Sequence, residues 1–199
     1  MTEQDLIADY QAALQSEDAQ RIMAAGRALD AYDKAERDRW NEPGANGRYA
    51  AWYARQGVPV FPLRPGQKVP LPGSRGFKDA TTDEAIIAAW WADTPRANIG
   101  MPTGRIWDAV DIDAPQGPWS LARNPDLFDR LRAAALGEVL TPSGGWHWYL
   151  PPEVKSTAGI LPGVDLRGVG GYVVIPPSQV DGRHYRWARV PETLKAAAS

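Results

Sequence analysis

The sequence predicts an α+β domain with a mixed or antiparallel sheet, preceded by an N-terminal helical appendage. Three observations predict it. Strand-like and helix-like segments follow one another without the strict alternation of a βαβ chain. One stretch, EVLTPSGGWHWYL, reads as strand, glycine turn and strand, as in an antiparallel pair. Residues 2–40 instead carry a helical period and run into NEPGANG, residues 41–47, a breaker rich in proline and glycine.

The elements follow in chain order. Thr2 and Asp5 resemble a capping box, and Leu6, Tyr10, Ala13 and Leu14 share one helical face, as do Ile22, Gly26 and Leu29. RYAAWYARQ is a short helix closed by Gly57. VPVFPL is an edge-type strand, because its prolines lack the N–H that an interior ladder needs. Residues 64–80, RPGQKVPLPGSRGFKDA, form a long basic loop, and loops of that length inside compact domains are often functional. Thr82 caps the helix DEAIIAAWWAD, whose first turn carries acids. NIGMPTG is strand and turn, and IWDAVDID a strand. Residues 119–135 are a helix with Leu121, Leu127, Phe128 and Leu131 inward. After the glycine-turn hairpin, GVDLRG is a short strand or turn, GYVVIPPS a strand ended by prolines, and RHYRWARV a further short strand. The expected organisation is a helical segment over 1–46, a compact domain over 47–190, and a tail over 191–199 that starts a linker to a further domain.

Composition narrows the chemistry. At 199 residues, folding buries roughly 70% of the unfolded surface, so no covalent staple is needed. There is no cysteine, which excludes disulfides and thiolate zinc sites, and two histidines exclude an all-histidine zinc site. A metal here is held by oxygen, which favours magnesium or manganese over zinc. The cysteine-free composition fits a reducing cytoplasm. The net charge of −2 gives no global sign of nucleic-acid binding. The start, MTEQDLIADY, lacks a signal peptide's basic and apolar regions, and no apolar run reaches membrane length. The nine tryptophans read first as a large aromatic core.

Within this frame, AVDID puts Asp111 and Asp113 on one strand face, roughly 6.5–7 Å apart at Cα, with Val110 and Ile112 on the other. Two carboxylates that close raise each other's pKa unless a cation lies between them. A metal removes the conflict; a solvated strand end before Pro115 also accounts for the pair. In TPSGGWHWYL, Ser143 and the amides of Gly144 and Gly145 form a turn suited to phosphate oxygens. His147 and Tyr149 then share one face and Trp146 and Trp148 the other; a plain hairpin is the simpler reading. In PGVDLRGVGG, Asp165 and Arg167 share a face, as a carboxylate beside a phosphate-binding guanidinium or as an ordinary ion pair. Arg64, Lys68, Arg75 and Lys78 make a basic strip, and Arg183, His184, Tyr185, Arg186, Trp187 and Arg189 interleave charge with aromatic rings, a mixture that suits single-stranded nucleic acid or a solvated edge. Taken together, three aspartates, a histidine, a glycine turn and a basic loop point to metal-assisted chemistry on a phosphate.

The ordered series VPVFPL–PGQKVP, DATTDEAIIAAWW, NIGMPTG, AVDID, TPSGGWHWYL, PGVDLRGVGGYVVIPPS and HYRW resembles the N-terminal domain of bifunctional DNA primase/polymerases, in the archaeo-eukaryotic primase superfamily. The resemblance runs from about Tyr49 to Trp187. It implies a primase-polymerase fold, with an RRM-like catalytic core joined to a second αβ unit, and template-directed nucleotidyl transfer with two magnesium or manganese ions. Carried over by position, it implies that Asp111, Asp113 and Asp165 are metal ligands. Ser143, Gly144, Gly145 and His147 would hold the nucleotide's phosphates, Arg167 would reach the triphosphate, and Lys68 and Ser178 fall in related motifs. It also implies a single-stranded DNA template with its primer, NTPs or dNTPs, and a helicase or helical accessory domain in the full-length protein of a phage or plasmid. Arg64, Arg75, Lys78, Arg183, Tyr185 and Arg186 are the weaker candidates for nucleic-acid contact. Two other readings stay open: a non-catalytic nucleic-acid-binding module of the same fold, and a D-x-D glycosyltransferase using a nucleotide-sugar.

Overall fold

A computed structural model describes residues 44–152 and 155–195, together with positions 5, 6, 9, 20, 21, 24 and 28. The chain divides into two compact units, Met1–Ala45 and Asn46–Ser199. In the first, positions 5, 6, 9, 20, 21, 24 and 28 are helical, Leu6 is buried, and Arg21 approaches Asp9 at 3.8 Å. The stripes expected through Tyr10, Ala13, Leu14, Ile22, Gly26 and Leu29 lie outside the described residues.

The second unit begins with α1, Ala45–Arg55, so the last three residues of the expected breaker are already helical. Gly57 follows it with φ of 77°. β1, Phe61–Leu63, is the edge of a three-stranded sheet of order β1-β2-β8, as its proline requires, beside β2, Asn98–Pro102, and β8, Tyr172–Val174. α2, Glu84–Asp93, starts one residue later than expected. Its cap is Asp83, whose carboxylate accepts from the amides of Ala85 and Ile86, while the Thr81 hydroxyl accepts from the Asp83 amide. A carboxylate satisfies two orphan N–H groups and also complements the helix dipole.

The second sheet has six strands in the order β11-β4-β5-β3-β7-β6. These are β3, Asp108–Ile112; β4, Gly137–Leu140; β5, Trp146–Leu150; β6, Thr157–Leu161; β7, Val164–Arg167; and β11, Arg186–Arg189. Among the described residues every pairing between named strands is antiparallel, which resolves "mixed or antiparallel" to the latter. RHYRWARV divides into two strands, β10 (Arg183–His184), paired with β9 (Gln179–Val180), and β11, with Tyr185 between them.

The helix expected over 119–135 is two helices, α3, Gln116–Ala122, and α4, Pro125–Ala134. Pro125 has no N–H to donate and keeps the preceding residue out of helical geometry, so the helix restarts there. Leu121 is buried as expected, but Phe128 is 37% exposed and meets Trp148 only edge-on. Side-chain alternation gives the six-stranded sheet two buried faces. Val110, Ile112, Trp148, Leu150 and Val164 share one core with Leu121 of α3. Ala109, Val139 and Tyr149 share the other with Tyr53 of α1, Ile87 of α2 and the three-stranded sheet. α5, Glu192–Lys195, lies in the segment expected to begin a tail, and its Leu194 is buried in that larger core.

Candidate functional site

β3 is interior in the sheet, with β5 on one side and β7 on the other. Register places Asp111 directly opposite His147 of β5 and directly opposite Asp165 of β7. Directly opposed residues project on the same face, so three residues far apart in the sequence meet on the side that carries Ala109 and Tyr149. Arg167, two residues beyond Asp165, projects there as well. Its Nη2 donates to Asp165 Oδ2 at 2.7 Å and to Asp111 Oδ2 at 3.3 Å. The Gly159 amide donates to the other Asp165 oxygen at 2.7 Å. His147 Nε2 stands 3.5 Å from Asp111 Oδ1, and its Nδ1 is buried without a hydrogen bond.

Asp113 follows the last residue of β3. Its amide donates to Gly163 O at 2.8 Å and its carbonyl accepts from the Gly117 amide at 2.6 Å, so the backbone turns away from the strand there. Its exposed carboxyl is held above the usual carboxylate range, first by partial desolvation and then by the charges of Asp111 and Asp165, with Lys68 and Arg167 pulling the other way. The D-x-D pair therefore shares one electrostatic environment although a single member lies within the strand. Burial lowers the His147 pKa to about 4, helped by Lys68 and Arg167 and opposed by Asp111. The imidazole is thus neutral at physiological pH, a donor without charge.

These groups line a cavity of about 340 Å³ bounded by Lys68, Asp111, His147, Arg167, Tyr172 and Tyr185, with Phe77 and the backbone of Gly170 and Gly171 completing the wall. Lys68 is carried there by the long loop, whose path is tied by the Tyr172 hydroxyl donating to Lys68 O at 3.0 Å. Phe77 of the same loop stacks on Tyr172 at 6.4 Å. Sequence reading missed Phe77 and Tyr172. The available signal was the glycine pair before Tyr172: Gly170 takes φ of +86°, and a Cβ on Gly171 would meet the Thr103 hydroxyl.

The SGG turn abuts the end of β3. A Cβ on Gly145 would lie 2.2 Å from Ile112 O, so the turn is pressed against the residues on either side of Asp113. Both glycine amides donate within the turn, Gly144 to Thr141 O at 2.9 Å and Gly145 to Thr141 Oγ1 at 3.0 Å, and so are not turned outward as a phosphate cradle. Ser143 is exposed, with its hydroxyl 3.0 Å from that of Thr141.

Other expected residues lie elsewhere. Ser178 is fully buried, and its hydroxyl accepts from the Ile99 amide at 2.8 Å, so it joins backbone segments and does not face a ligand. Arg75 is exposed and bound to Asp79 at 2.7 Å. Arg64 and Lys78 are exposed on the loop, away from the cavity wall. Arg183 reaches Pro142 O at 3.3 Å, and Arg186 is half-buried on β11. Tyr185 is 1% exposed, so its ring is no stacking platform for bases; it belongs to the cavity wall instead, 5.6 Å from the His147 ring.

Asp111, Asp113 and Asp165 supply hard oxygen donors of the kind magnesium and manganese prefer. Among the described residues no group of three or more acids or histidines is already drawn together as a metal cluster. A guanidinium nitrogen bridging Asp111 and Asp165 shows nevertheless that the pair accepts a cation between its oxygens.

A cavity lined by the Asp111 carboxylate and a neutral imidazole, with Lys68 and Arg167 on the wall and Asp165 bound to Arg167 beside it, suits a polyanionic ligand that brings further positive charge with it. Residues 50–198 match the family described as bifunctional DNA primase/polymerase, N-terminal. The match spans well over half of the sequence, and the chain belongs to this family. Membership carries nucleotidyl transfer, with DNA and nucleotides as substrates, at the level of the family. No curated protein sequence matches the chain. No described helix is long and apolar enough to cross a membrane.

Proposed function

We propose that residues 47–190 form a template-directed DNA polymerase/primase domain that joins an incoming NTP or dNTP to a primer 3′-hydroxyl. The observation that carries this reading is the register of β3, which sets Asp111 between His147 and Asp165 on the floor of a cavity that also takes Lys68 and Arg167. The reaction forms a bond from the 3′-oxygen to the α-phosphorus, with the hydroxyl proton passing to water, and breaks the bond from that phosphorus to pyrophosphate. Asp111, Asp113 and Asp165 are the residues that would hold two divalent cations. Bound magnesium or manganese would lower the pKa of the 3′-hydroxyl and neutralise charge on the triphosphate and departing pyrophosphate. His147 donates from Nε2 to a phosphate oxygen, and as a neutral group it orients that oxygen without competing for the acids. Arg167 and Lys68 supply the protein's own positive charge toward the triphosphate. Phe77, Tyr172 and Tyr185 give the cavity an aromatic wall.

The test is extension of a labelled primer on a longer template, with dNTPs and magnesium or manganese, by the wild-type chain and by the Asp111→Ala/Asp113→Ala double variant. Metal-dependent extension by the wild type, lost in the variant, is the expected result. DNA binding by both proteins with synthesis by neither would favour a non-catalytic module of the same fold.

A further inference from the structure

Asp111 and Asp165 are opposed like charges on neighbouring strands, an arrangement that destabilises a sheet unless it is compensated. Arg167 compensates it in an unusual way. A guanidinium usually grips one carboxylate with two nitrogens. Here one nitrogen, Nη2, touches Oδ2 of both acids, the position a spherical cation would take. Each acid is also placed by something other than Arg167. Asp165 Oδ1 is held by the Gly159 amide, and Asp111 is set by its place in β3 and faces His147. The carboxylates therefore stay in position if the guanidinium leaves. It has somewhere to go, because the Arg167 side chain is 38% exposed and lines the cavity beside Lys68.

We propose that Arg167 is an exchangeable counter-ion: it and a divalent cation compete for Oδ2 of Asp111 and Asp165, and the cation's arrival turns the guanidinium into the cavity to meet an anionic phosphate. This rests on the reading that these acids bind a divalent cation. It adds an order of events, in which the cation both occupies the acids and releases an anion-binding group. A partly exposed ion pair contributes little net stability, so the exchange is inexpensive.

The two roles open to Arg167 predict opposite signs. If it only braces the acids, its removal lets them repel and weakens cation binding. If it competes, its removal tightens cation binding. Manganese titration of the full chain, by calorimetry and by the electron paramagnetic resonance of free Mn²⁺, separates them. Arg167→Gln should bind Mn²⁺ roughly tenfold more tightly than wild type, the amount expected from releasing the two acids from their partly exposed contacts with the guanidinium. Arg167→Lys, which keeps a cation, should gain less, and Asp165→Asn should lose the site. Unchanged or weaker binding by Arg167→Gln, with native near-ultraviolet circular dichroism, overturns the competition and leaves the cation reading standing. Failure of both wild type and Arg167→Gln to bind Mn²⁺, or full binding by Asp165→Asn, overturns the cation reading and the proposal with it. Should Arg167→Gln not fold, the wild type decides. Magnesium titration followed by nitrogen-15 resonance of the arginine side chains should move the Arg167 signal toward that of a freely rotating guanidinium. A signal that stays fixed at saturation overturns the exchange.

Discussion

His147 is neutral because its ring is buried where water cannot solvate a cation, and Lys68 and Arg167 add to that cost. The consequence for stability has a definite sign. The ordinary histidine value is 6.5 and the folded value is about 4. Below 6.5 the unfolded chain takes up a proton that the native ring resists, so stability falls as pH drops through that window and levels off beneath it. The loss is on the order of 3 kcal/mol for a shift of this size. Urea unfolding across the window should show His147→Gln falling less steeply than wild type; parallel curves would mean that the ring is solvated. The Nδ1 atom is buried without a hydrogen bond, so Nε2, on the Asp111 side, is the nitrogen available to a ligand. Gln keeps a donor of similar reach but carries no titrating proton, so the comparison isolates the charge.

At the scale of elements, the β4–β5 turn and the end of β3 form one unit. Gly144 takes φ of +83°, a conformation open to glycine at little cost, and Gly145 lies where a side chain would strike Ile112 O. Gly145→Ala should therefore push the turn off β3. A loss of about 1–3 kcal/mol in chemical denaturation is expected, together with weaker primer extension because the turn flanks Asp113. Ser143→Ala, at an exposed position in the same turn, should leave stability within about 0.5 kcal/mol of wild type. Behind the site, buried Glu138 of β4 pairs with Arg132 of α4 and, at 2.7 Å, with Arg189 of β11. That carboxylate ties a helix and an edge strand to the strand beside β5. Such placement depends on strand order, which explains why the pattern of β4 alone did not single it out.

Across the second unit, residues 175–180 link the two larger sheets. The Ser178 hydroxyl accepts from Ile99 of β2, its carbonyl accepts from the Tyr185 amide at 2.8 Å, and the Asn98 side chain donates to Gln179 O at 2.7 Å. Tyr53 of α1 reaches the same region, donating to Pro176 O at 2.9 Å and accepting from Trp187 Nε1 at 3.0 Å. Ser178→Ala should leave the buried Ile99 amide without its acceptor and lower stability by about 1–2 kcal/mol, with nucleotide affinity retained. Equilibrium unfolding and nucleotide titration of one preparation check both halves. A large loss of affinity at unchanged stability would restore the ligand-facing role that its motif suggested.

The sequence by itself determined what is local. Period-two alternation separated Asp111 from Val110 and Ile112, His147 from Trp146 and Trp148, and set Asp165 and Arg167 on one face, since a strand leaves no other choice. Glycine and proline marked the turns, and the order of motifs carried the family. Pro125 was equally legible as a helix breaker, and the helix expected over 119–135 restarts at it. Only the tertiary structure decided which strands are neighbours. Nothing in the residues around Asp111 specifies that β5 and β7 flank it, because hydrogen bonds between backbones carry no residue identity and the pairing is chosen by burial of both sheet faces at once. The same long-range choice buried Ser178 and Tyr185, which their motifs presented as ligand contacts, and carried Phe77 and Lys68 from a distant loop to the cavity wall.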